Sequence, residues 1–86
     1  RHYVRIERER ESTENRMAFI KNLFRMRNTR TVPFSDLVVD KEDKYDVVLA
    51  FTSVLEMSKA RIVRADQQKM YGEIMVTKLE EGSDDK

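Results

Sequence analysis

The sequence predicts a small α+β domain, three helices followed by a two-stranded hairpin. Three observations predict it. Apolar residues recur at helical spacing over 13–27 and again over 44–59. Between these stretches, "TRTVPFSDLVV" (29–39) starts with strand character and is interrupted by Pro33. After the second stretch, "RIVRAD" (61–66) and "YGEIMVTK" (71–78) have strand composition, with the polar turn "QQKM" between them. A chain of 86 residues fits one domain, of a size that buries only a modest core. The expected boundaries are a charged linker at 1–11, the folded domain at 12–78 and an acidic, disordered tail at 79–86.

The leader "RHYVRIERERE" alternates in charge and is expected to be extended around Tyr3, Val4 and Ile6. Ser12 is placed to cap a first helix, because its hydroxyl can accept from the free amides of the opening turn. Met17, Ile20, Leu23 and Phe24 form that helix's apolar stripe, with Phe19 and Met26 widening it. Arg25 and Arg27 complement the dipole in the last turn. Thr31 and Val32 suit a short strand, which Pro33 confines to an edge. Ser35 can cap a short second helix over Asp36–Val39, with Phe34 and Leu37 turned inward. Asp43 is the expected cap of the third helix, with Asp46 in its first turn facing the positive end of the dipole. Whether Ile62 or Val63 faces the core stays open, because parity in so short a strand is weakly specified.

Helix, strand, helix, helix, strand, turn, strand is the order of a winged helix, a helix-turn-helix with a hairpin behind it. Where such a domain reads DNA, its third helix enters the major groove and offers Arg, Lys, Asn or Gln. At about 100° per residue, Val47, Val48, Phe51, Val54 and Leu55 fall on one arc, the expected core side. The opposite arc carries Tyr45, Leu49, Thr52, Ser53, Glu56 and Lys59. Over 42–59 the acids Glu42, Asp43, Asp46 and Glu56 outnumber Lys44 and Lys59. Phosphates would repel such a surface, so DNA recognition through this helix is not expected. Tyr45 and Leu49 stand one turn apart and suit an apolar anchor for a protein partner.

Charge is asymmetric: residues 1–30 carry nine Lys/Arg against four Glu, and residues 31–86 carry eight against twelve acids. The basic half keeps open an alternative, a DNA-binding winged helix of a transcriptional regulator that uses 1–30. Chemistry finds no foothold. His2 is the only histidine, so Ser12, Ser35, Ser53, Ser58 and Ser83 have no base for a triad. There is no cysteine, and only two glycines, too few for a phosphate-cradling loop. Asp84 and Asp85 belong to the tail rather than to a metal site. The five methionines suit adaptable core or interface positions. No enzyme, cofactor, metal or membrane span is expected, and the start at Arg1 rather than Met suggests a fragment of a longer, soluble protein.

Four segments together resemble one family. "STENRMAFI" (12–20) is similar to a Ser-x-Glu-x-Arg-Met helix start, and "VPFSDL" (32–37) to a Val-Ser-Phe-x-x-Leu segment. In "DVVLAFTSVLEM" Asp46, Val47, Val48, Phe51, Val54, Leu55 and Glu56 match, followed by Tyr71, Gly72, Glu73 and Ile74 of "YGEI". The family is that of the bacterial kleisin ScpA, of the SMC condensin complex, and the likeness is to its C-terminal domain. Leu49, Thr52 and Pro33 depart from its usual residues. The resemblance implies a non-enzymatic bridging subunit whose C-terminal winged helix binds the ATPase head of an SMC protein. ScpB would bind elsewhere in the full-length protein, and the ring would act in chromosome segregation, in the cytoplasm at the nucleoid. On that basis Tyr45, Leu49, Thr52 and Glu56 are the expected partner-binding residues.

Overall fold

The computed structural model describes residues 2–67, 69, 70 and 72–79. Helix α1 spans His2–Arg27, strand β1 Thr31–Pro33, a 3-10 turn Phe34–Leu37, helix α2 Lys44–Lys59, and strands β2 and β3 Val63–Gln67 and Ile74–Lys78. The strands form one antiparallel sheet in the order β1-β3-β2. This is the helix–strand–helix–helix–hairpin order expected. No helix among the described residues is long and apolar enough to cross a membrane.

Three local expectations need correction. The leader is helical rather than extended, and Ser12 lies within α1 rather than at its cap. Arg and Glu are good helix formers, and the chain has no Gly or Pro before Pro33, so nothing stops the helix from continuing back to His2. The second helix is a single 3-10 turn that begins at Phe34, directly after Pro33, instead of a helix over 36–39. Its cap is not the Ser35 hydroxyl: the Ser35 amide donates to Glu73 Oε2 (3.1 Å), at the foot of β3. The third correction concerns the core.

Ile20, Phe24, Val32, Leu37, Val38, Ala50, Val54, Met57, Val63 and Val76 form that core, with Met17, Leu23, Phe34, Val47 and Ile62 packed on its rim. The ambiguity between Ile62 and Val63 resolves to Val63 as the buried residue. On α2 the buried side is Ala50, Ser53, Val54 and Met57. Of the expected inward arc only Val54 is buried; Val47 sits on the rim, and Val48, Phe51 and Leu55 are exposed. Ala50 and Ser53 are small, so α1 can approach closely over them, which large β-branched or aromatic residues would not permit. Ser53 is buried at little cost because its hydroxyl donates to Leu49 O (2.7 Å).

Both helices stop at a left-handed residue that is not glycine. Thr29 N donates to Phe24 O and Ile62 N to Met57 O, each reaching back around Asn28 (φ 53°) and Arg61 (φ 62°). The hairpin closes with Gly72 N donating to Lys69 O (3.0 Å) and Gln67 Nε2 to Gly72 O (2.6 Å). Tyr71 of the "YGEI" segment and residues 80–86 of the expected tail lie outside the described residues.

Candidate interaction face

The orientation of α2 is set at its first turn. Asp43 caps it as expected, its carboxylate accepting from Tyr45 N (3.0 Å). Asp46 does more than face the dipole. Its Oδ1 accepts from Arg16 Nη2 at 2.6 Å, and its Oδ2 accepts from the amides of Val39 (2.6 Å) and Asp40 (2.7 Å). Arg16 also donates to Leu37 O (3.0 Å) and lies over the Phe19 ring. One carboxylate thus ties α1, α2 and the 38–40 connection, and both charged side chains are only 11% exposed. Burial works against the charge of Asp46, but the Arg16 guanidinium and the two amides outweigh it and hold this carboxyl below the ordinary value of 3.8.

With Asp46 pinned inward, the helical repeat dictates what faces out. At about 100° per residue, the side opposite Ala50, Ser53 and Met57 carries Tyr45, Val48, Phe51 and Leu55. These are 60%, 59%, 49% and 45% exposed. Phe34, from the 3-10 turn, meets Phe51 edge to face with ring centroids 6.4 Å apart, which extends the strip off the helix and limits the motion of Phe51. Lys44 and Lys59, both exposed, stand at its two ends.

Of the four residues expected to contact a partner, Tyr45 and Glu56 are exposed, and Leu49 and Thr52 are partly buried. Tyr45 belongs to the strip itself, and the helix places Leu49, Thr52 and Glu56 along one margin of it, as a border rather than a centre. The shared arc with Val47 and Val54 points Val48, Phe51 and Leu55 to the core, and the structure exposes all three. The signal that could have found them is the pair of small residues on the other arc, since Ala50 and Ser53 mark where a neighbouring helix can come close.

Among the described residues no group of three or more His, Cys, Asp and Glu could hold a metal ion. A helix with one packed face and a second apolar face, its first turn clamped by an ion pair, can offer a rigid surface for binding.

Comparison with known proteins agrees with this architecture. Over residues 4–79 the chain matches the family described as Segregation and condensation protein ScpA. It is 31% identical over 74 residues to Segregation and condensation protein A of Halothermothrix orenii, a match that covers 86% of this chain and 30% of that protein. The chain therefore spans about a third of the length of this curated relative. Its fold superposes with a TM-score of 0.66 on the crystal structure of the SmcHead bound to the C-winged helix domain of ScpA, at 22% identity, over 83% of this chain and 99% of that one. The structural likeness shows a winged-helix fold, and the extent of the family match makes this chain a member of the ScpA family of segregation and condensation proteins.

Proposed function

We propose that this chain is a non-enzymatic interaction module, the C-terminal winged helix of a kleisin, and that it grips the ATPase head of an SMC protein in chromosome condensation and segregation. The observation that carries the proposal is the exposed apolar strip of α2. Four large side chains on one helix face cost free energy in water, and a monomer gains nothing by holding them there. The solved relative of like fold, described as bound to an SmcHead, supports this choice of partner. The strip's own side chains are uncharged and its cations, Lys44 and Lys59, stand only at its ends, whereas nonspecific DNA affinity comes mainly from phosphate neutralisation.

Tyr45, Val48, Phe51 and Leu55 would enter the centre of the interface, where aromatic and aliphatic anchors carry most of the binding energy. Leu49, Thr52 and Glu56 would line its rim and exclude water. The full-length protein would carry its ScpB contact elsewhere and would work in the cytoplasm at the nucleoid.

Titration calorimetry against a purified SMC head fragment tests this. Val48→Asp and Leu55→Arg should each weaken binding by about 2 kcal/mol or more, roughly thirtyfold. Circular dichroism and thermal melting should shift by no more than about 0.5 kcal/mol, because both positions face solvent. Undiminished affinity in both variants would remove this strip from the interface.

A further inference from the structure

A second surface begins where the strip ends, at Lys59. Three connections meet at one end of the sheet. Lys78 N donates to Arg30 O (2.7 Å), Leu79 N donates to Ile62 O (2.9 Å), and Lys78 pairs with Val63 in the ladder. The end of α1, the α2–β2 connection and the end of β3 are thereby held side by side. They carry Arg25, Arg30, Lys59, Arg61 and Lys78, all exposed. No Asp or Glu occurs in 15–35, 57–65 or 74–79, the stretches that build this end. Two nearby arginines are already engaged, Arg27 with Asp36 (2.6 Å) and Arg64 with Asp66 (3.3 Å). Arg30 makes a contact of its own and adds its field.

Arg25 and Lys59 stand in the last turns of their helices, where a cation complements the dipole without any ligand. Lys78, at the end of a strand, has no such explanation, and Arg61, just past the end of α2, shares it only in part. Arg61 also occupies a left-handed position (φ 62°) that glycine would take without strain. A strained backbone kept at an exposed cation points to use of that cation.

We propose that this end of the domain contacts the phosphodiester backbone of duplex DNA, without reading base sequence. Lys78 and Arg61 reach adjacent phosphates from the two sides of the sheet end, and Arg25 and Arg30 extend the positive track along the end of α1. Lys59 borders the apolar strip, so the DNA and protein surfaces adjoin without sharing their central residues. The choice of duplex DNA over other polyanions rests on the proposed role in chromosome segregation; the charge geometry does not.

Fluorescence anisotropy of a labelled random-sequence duplex, titrated with this chain between about 50 and 200 mM salt, tests the proposal. Binding should be weak, with a dissociation constant on the order of 10⁻⁴–10⁻⁶ M, and three or four phosphate contacts should give a log–log salt slope near −3. The double variant Arg61→Gly, Lys78→Gln relaxes the backbone at 61 and so keeps the fold. It should weaken binding about tenfold or more at the lowest salt and reduce the slope by about 2. Leu55→Ser, on the strip, should leave DNA binding unchanged. Absence of binding at 50 mM salt, an unaltered slope in the double variant, or displacement of DNA by polyglutamate at equal charge would overturn the proposal. None of these outcomes bears on the SMC head titration, which reads a different set of side chains.

Discussion

The two sides of α2 reverse the usual relation between size and burial. The packed side presents Ala50, Ser53, Val54 and Met57, two of them small and one polar. The open side presents Tyr45, Val48, Phe51 and Leu55. A monomer optimised only for its own stability would do the opposite, since each large apolar side chain fully buried contributes about 1.5–3 kcal/mol. What turns the helix is the Asp46 clamp to α1 together with the burial of Ala50 and Ser53. The packed side serves the fold, and the open side is held ready for something outside it.

The largest perturbation of this contrast should come from the clamp. Asp46→Ala leaves the Arg16 guanidinium unpaired in a largely buried site and strips the acceptor from the Val39 and Asp40 amides. Urea denaturation should show a loss of about 3–5 kcal/mol, a large part of the stability of a domain this small. If the loss is under 1 kcal/mol, the clamp does not orient α2.

A direct contrast of the two sides comes next. Ala50→Leu forces volume into the α1–α2 contact and should cost about 1–3 kcal/mol. Val48→Ala, on the exposed side, should change stability by no more than about 0.5 kcal/mol. Equal effects from the two changes would mean that the faces are not energetically distinct.

The smallest expected effect is on pH. The folded-state pKa of Asp46 is depressed, so its contribution is fully present above the unfolded carboxylate value of about 3.9 and is lost as pH falls through the lowered native value. Acid titration of stability below about pH 4 should therefore be steeper in the natural chain than in Asp46→Asn. Parallel acid limbs would show that the carboxylate is not stabilised by folding.

Much of the architecture was legible in the residues. Alternation and spacing reveal α2, its Asp43 cap, the edge position of β1 and the hairpin, because these depend on neighbours in sequence. What was not legible depends on partners far away in sequence. The Arg16–Asp46 pair joins residues 30 positions apart, so each half looks like an ordinary surface charge when read alone. The inward side of α2 was misassigned because large apolar residues were read as core, although in this helix the small ones mark the contact. Tyr3, Val4 and Ile6 suggest an extended leader, whereas the helix propensity of the Arg and Glu around them prevails. The matched Arg16, Asp46 and Glu73 turn out to brace the scaffold, while Val48, Phe51 and Leu55 from the same segments form the strip.

The bond from Ser35 to Glu73 couples two segments 38 residues apart. The 3-10 turn has no side-chain cap of its own, so the amide of its second residue, Ser35, gains its acceptor only after β3 has paired and brought Glu73 into place. Fraying of the hairpin therefore releases that turn as well, and the two should open as one cooperative unit. In hydrogen exchange the Ser35 amide should follow the timetable of β3 rather than that of its own neighbours in sequence.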